Sequence, residues 1–234
     1  MTELSVRGLT KNFGRVKAVD NLTFGVPPGR ITGFLGANGA GKTTTLRIAL
    51  GLVAPTSGEV LIGGRRYRDL EHPRRVAGAL LEATGFHPGR TGRDNLRVLA
   101  QVSGASAGRV DEVLDLVDLT AAADRRVGGY SLGMKQRLGL AAALLGDPRV
   151  LVLDEPANGL DPAGMAWLRG LLRGLAADGR TVLISSHVLS EVAQTVDQVV
   201  IIHEGRLRYD GPLDELGGDS LETAFLNLTS TLSR

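Results

Sequence analysis

Gly36-Ala37-Asn38-Gly39-Ala40-Gly41-Lys42-Thr43 decides the fold. Four residues separate the first glycine from Gly41-Lys42-Thr43, which is the spacing of a phosphate-binding P-loop. Backbone that wraps a triphosphate with its N–H groups inward needs small residues and unusual φ values, and this run supplies both. The flanks pass the context test. Ile31–Leu35 reads as a strand, and the run from Lys42 to about Leu52 reads as a helix. That helix turns its positive N-terminus toward the phosphates. Lys42 is expected to reach the β- and γ-oxygens, and Thr43 to place a hydroxyl on Mg²⁺. The candidate nucleotide-binding run extends from Gly36 through Thr44.

A second stretch completes the chemistry. Val150-Leu151-Val152-Leu153 is a buried strand by pattern, and Asp154-Glu155 follows it. A carboxylate at such a strand end, beside a P-loop, holds Mg²⁺ directly or through water, and Asp154 fits that place. Glu155 comes next and can face an attacking water as general base.

Outward from these motifs the chain falls into three parts. The first reads as strands at Leu4–Leu9, Val16–Ala18, Leu22–Val26, Ile31–Leu35, Glu59–Ile62 and Val76–Leu81, with a turn signal at Pro27-Pro28-Gly29. From about Thr91 to Gly146 the periodicity is helical, with apolar residues at Leu96, Leu99 and Val102, then at Val110, Val113, Leu114 and Val117. The last part returns to short apolar strands at Val150–Leu153 and Thr181–Ser185. Helices are expected at Pro162–Ala177, capped by Asp161, and at Val188–Thr195. Val199–His203 and Leu207–Tyr209 flank Glu204-Gly205-Arg206 as a hairpin, and Ser220–Thr229 reads as a short amphipathic helix. The plan is an α/β core interrupted by a helical insertion.

Composition narrows the class. The chain has 234 residues, 43% of them apolar and 22% charged, which suits a globular protein and excludes dominant disorder. Basic residues number 27 against 25 acidic, and only Lys11, Lys17, Lys42 and Lys135 are lysines. A balance this close to neutral gives little pull on nucleic acid, so none is expected as a partner. The absence of cysteine excludes disulfides and thiolate chemistry. No apolar run approaches the roughly 18 residues of a bilayer span. A soluble, intracellular chain is expected, with any membrane spans supplied by a partner.

Beyond these motifs the chain resembles an ATP-binding cassette (ABC) ATPase over essentially all of its length. It is similar to the subunits that drive membrane transporters, in the drug- and antibiotic-export branch. The resemblance implies a P-loop NTPase (RecA-like) core at 1–83 and 147–234, with an N-terminal antiparallel β-subdomain and an inserted α-helical subdomain at 84–146. Tyr130-Ser131-Leu132-Gly133-Met134-Lys135-Gln136-Arg137 sits where the family has its signature, usually Leu-Ser-Gly-Gly-Gln. Ser131 and Gly133 match, whereas Leu132 and Met134 depart. In the family this loop contacts the γ-phosphate held by the other subunit. Asn158-Gly159-Leu160-Asp161 corresponds to the D-loop, with Asp161 as its acid. His187 matches the switch histidine, and Phe13 lies where an aromatic stacks on adenine. Glu82 stands where the family keeps a glutamine, and is expected to act as a metal ligand.

The resemblance implies two identical cassettes facing head to tail, with ATP and Mg²⁺ between them. It also implies an integral membrane permease docked near Glu82–Arg93, with Phe86 lining the groove. Lys42, Glu155 and His187 carry catalysis in this reading. The chain is expected on the cytoplasmic face of the cell membrane, powering export of drugs, antibiotics or other amphipathic compounds. A soluble cassette ATPase in cofactor assembly, or in nucleic-acid or ribosome work, is the competing reading.

Overall fold

Strands that are buried on both faces organise this molecule, because each must share its side chains between two cores. The computed structural model describes residues 2–81, 85–217 and 220–230. The order begins β1 (Leu4–Phe13), β2 (Val16–Val26), β3 (Ile31–Leu35), α1 (Lys42–Ala49), β4 (Ser57–Ile62), α2 (Pro73–Val76) and β5 (Ala77–Leu80). Three helices follow: α3 (Gly92–Ser103), α4 (Ala107–Leu116) and α5 (Leu132–Leu144). The chain then runs β6 (Val150–Asp154), α6 (Pro162–Ala177), β7 (Thr181–Ser186), α7 (Leu189–Ala193), β8 (Gln198–His203), β9 (Arg206–Pro212) and α8 (Leu221–Ser230).

The main sheet has the order β5-β6-β7-β3-β8-β9, parallel except for β9. A second, antiparallel sheet has the order β2-β1-β4. Alternation along each central strand assigns its residues. Ile31, Leu35, Leu151, Leu153, Val182 and Ile184 enter one core, shared with residues of α3 to α8. Phe34, Val150, Val152, Leu183 and Val200 enter the other, shared with α1 and the antiparallel sheet. Period-2 geometry makes this division automatic. Burying each such aliphatic side chain contributes about 1.5–3 kcal/mol.

Between β5 and β6 the regular elements are helical, as the periodicity predicts. Several expected bounds change: β1 runs on to Phe13, Val76 closes α2 rather than opening β5, and the helix expected at Val188–Thr195 is α7. Two changes have a clear local cause. Val16–Ala18 and Leu22–Val26 are one strand, β2, because Asp20-Asn21 forms a bulge and not a turn. The pairing steps from Lys11↔Val19 to Leu9↔Leu22, with Asn21 at φ 50° and its N–H on Thr10 Oγ1 at 3.0 Å. The first helix stops at Ala49 and not near Leu52, because Gly51 takes φ 69°.

Candidate functional site

The phosphate loop joins β3 to α1. Gly41 lies at φ 104°, and a Cβ built there would stand 2.4 Å from the Ala18 carbonyl oxygen, so only glycine fits. The Ala40 N–H donates to the Ala37 carbonyl at 3.0 Å, and the Gly205 N–H donates to the Ala40 carbonyl at 3.1 Å. The tip of the β8–β9 hairpin therefore braces the loop, a support that sequence reading did not anticipate. No side chain caps the N-terminus of α1. Its amide end is left for an anion. The Lys42 side chain folds over the loop and donates to Gly36 O at 2.6 Å and Ala37 O at 3.4 Å. Burial pushes its ammonium below the ordinary lysine value, while the nearby charges of Glu155 and Asp154 pull the other way.

Strand register builds the acidic part. Parallel pairing sets Asp154 opposite Ser185. The Ser185 hydroxyl donates to Asp154 Oδ1, and the Thr43 hydroxyl donates to Oδ2 at 2.8 Å. A buried carboxylate beside a hydroxyl offers hard oxygen donors, the chemistry that suits Mg²⁺. The oxygen donors of Thr43 and Asp154 therefore fit such an ion. Glu82 lies outside the described residues.

Glu155 is held from every side. Its backbone sits at φ 50°, a left-handed conformation that costs a non-glycine residue roughly 1–3 kcal/mol. Its N–H donates to the Ser185 carbonyl at 3.2 Å and to Ser185 Oγ at 3.1 Å. Its carbonyl accepts from Gln136 Nε2 at 2.9 Å and from the Asn158 N–H at 3.1 Å. Its carboxylate meets His187 Nδ1 at 2.8 Å. An ionised carboxylate only accepts, so Nδ1 carries a proton in this contact and Nε2 is the nitrogen turned away from Glu155. Ser185 and Gln136 were not singled out by sequence. Only strand register reveals the first, and a lone buried amide on an otherwise apolar helix face signals the second.

The remaining candidates lie apart from the loop. Phe13, at the β1–β2 turn, is 50% exposed, with the Lys11 ammonium 4.8 Å from its ring centroid. Ser131 caps α5 by accepting from the Met134 N–H at 3.2 Å. Asp161 caps α6 by accepting from the Gly164 N–H at 2.8 Å. The two caps belong to one surface. A Cβ on Gly133 would approach Gly159 O to 3.1 Å, and one on Gly159 would meet Leu132 Cδ2 at 2.4 Å. Among the described residues, neither Ser131 nor Asp161 hydrogen-bonds the phosphate loop. No described helix is long and apolar enough to cross a membrane.

Comparison with known proteins adds three findings. The family model described as "ABC transporter" matches residues 19–158. Two curated relatives are similar over most of the chain. The bacitracin transport ATP-binding protein BcrA of Bacillus licheniformis is 47% identical over 218 residues, spanning 92% of this chain and 71% of that protein. The lantibiotic transport ATP-binding protein SrtF of Streptococcus pyogenes is 37% identical over 226 residues, spanning 96% of each. Among solved structures, the dimeric structure of MJ0796, a bacterial ABC transporter cassette, superposes with a TM-score of 0.82 at 25% identity. It covers 90% of this chain and 98% of that one.

Proposed function

Because the chain belongs to the ABC transporter family, we propose that it is the ATP-hydrolysing subunit that powers export of an antibiotic or related amphipathic compound. One observation carries the reading: Thr43, Asp154, Ser185, Glu155 and His187 form an unbroken chain of hydrogen bonds beside the phosphate loop. ATP binding displaces the Lys42 ammonium from the Gly36 and Ala37 carbonyls, which are weaker partners than phosphate oxygens. The α1 amides and the loop from Gly36 to Thr44 hold the phosphate charge. Thr43 and Asp154 would hold Mg²⁺, which would supply neutralisation of phosphoryl charge when bound. Glu155 accepts the proton of the attacking water. His187 reaches the γ-phosphate as a donor only after it turns away from Glu155 or gains a second proton. Substrate binding thus frees the base and places the imidazole in one movement. Phe13, exposed at its turn, is free to stack on adenine.

Each subunit carries half of each site in this reading. Ser131, Gly133, Met134 and Asp161 face outward on a surface whose partner is the phosphate loop of a second, head-to-tail copy. The solved relative is a dimer, which supports the pairing. The permease docks beside the loop before α3, on the cytoplasmic face of its membrane. The described part of that loop is tied to α3, because buried Asn95 accepts from the His87 N–H at 3.0 Å and donates to Thr91 O at 2.9 Å. Phe86 is half-buried against the helical core, so it shapes this surface from beneath.

The test is phosphate release by purified chain, with and without co-purified permease in vesicles. ATP hydrolysis without drug-dependent stimulation by the permease would count against export. Permease-independent binding to a ribosome or a cofactor-assembly protein would favour the competing class.

A further inference from the structure

Gln136 is 4% exposed and lies in a helix whose other buried residues are leucine, alanine and glycine. A buried amide is costly unless it is hydrogen-bonded. Its Nε2 donates to the carbonyl of Glu155 at 2.9 Å, across 19 residues of sequence. That carbonyl belongs to the residue with the left-handed backbone, whose N–H is fixed on the far side by Ser185. The peptide before Glu155 is thus anchored to β7 and the peptide after it to α5. The Glu155 side chain leaves the backbone between those two anchors. Further toward the N-terminus of α5, Ser131 forms the cap that shapes the signature loop.

We infer that Gln136 is a positioning residue: it locks the backbone of Glu155, so that the seating of the signature loop sets the aim of the general base. In a head-to-tail dimer the signature loop serves the facing subunit's nucleotide, while Glu155 serves its own. One hydrogen bond in each subunit therefore links the two ATP sites. The inference rests on the role of Glu155 proposed above, and it adds the residue that makes that role depend on α5.

The experiment uses the full chain. Gln136→Met keeps the length and apolar packing of the side chain but has no donor. Its kcat should fall roughly 10- to 100-fold, the scale of a misaimed catalytic group. KM for ATP should stay within about threefold and the melting temperature close to the parent's, because the phosphate loop is untouched. The decisive readout is the double variant. In a Glu155→Gln background, Gln136→Met should change the residual rate by less than about twofold, since it acts through Glu155. Should Gln136→Met fail to fold, Gln136→Asn retains an amide withdrawn by one methylene, and the same pattern is expected. A parental rate in a folded Gln136 variant overturns the assignment, as does an equal loss in the Glu155→Gln background. Parent chain that hydrolyses no ATP, or a fully active Glu155→Gln, sinks the underlying reading of Glu155 instead.

Discussion

Two helix N-termini in this chain, those of α1 and α5, differ in what they leave open. The end of α1 follows Gly41 and has no side-chain cap, so its amides point into the loop unclaimed by the protein. The end of α5 follows Ser131, whose hydroxyl already accepts from Met134. The first is incomplete without an anion, and the chain's own Lys42, Asp154 and Glu155 surround it. The second has its cap in place, and among the described residues no acid, base or candidate metal ligand is hydrogen-bonded to that cap. A helix end reserved for a ligand is therefore recognised less by its amides than by what its own chain declines to do with them. In the proposed dimer this contrast assigns the chemistry to one helix end and a binding surface to the other.

The largest test of this contrast is Glu155→Gln. Steady-state phosphate release should fall by about 10²- to 10⁴-fold with nucleotide binding retained, because only the base is removed. Fluorescent-nucleotide titration checks the second half of that statement. Next comes Lys42→Ala, which should weaken ATP binding by roughly 10- to 100-fold, the value of a charge-assisted hydrogen bond. Ser131→Ala should leave ATP binding by its own loop unchanged. Mixing Lys42→Ala chains with Ser131→Ala chains should restore activity above either alone, since one mixed site regains an intact loop and an intact signature. A mixture no better than its parts would break the division of labour between the two helix ends.

Smaller effects concern how the signature end is held. The Arg137 guanidinium lies 4.1 Å from the Trp167 ring centroid and donates to Val117 O at 3.1 Å, tying α5 to α6 and to the end of α4. Its partner Asp118 is 80% exposed, so the ion pair adds little. Arg137→Ala should cost about 1–2 kcal/mol in denaturant melts followed by Trp167, the sole tryptophan. Smallest of all, Gly170→Ala and Gly174→Ala should each raise stability by about 0.5–1 kcal/mol. A Cβ at either position of α6 meets nothing within 4 Å, and glycine inside a helix is entropically costly. Equal or lower melting temperatures would mean that those surfaces are covered in solution.

Much of the site was legible in advance for a simple reason. The phosphate loop is one continuous stretch, and its strand, turn and helix signals are all local. Asp154 and Glu155 announced themselves at the end of a run of buried β residues, and Asp161 announced itself as a cap. Val16–Ala18 and Leu22–Val26 read as two strands because the polar residues between them interrupt the apolar pattern, and only pairing with β1 shows that the strand continues. Ser185 and Gln136 were missed because serine and glutamine carry no local signature. Their importance comes from partners 31 and 19 residues away.

The sequence by itself determined the inventory: a phosphate loop, an acidic strand end, a stretch that resembles the family signature and an α/β core with a helical insertion. Local spacing suffices for these, since turns, caps and periodicity act over a few residues. Only the tertiary structure decided that Ser185 sets Asp154, that Gln136 and Ser185 together lock Glu155, and that the β8–β9 hairpin braces the loop. Those contacts depend on which strand lies beside which and in what register, and parallel crossovers bring together residues whose separation in sequence carries no such information.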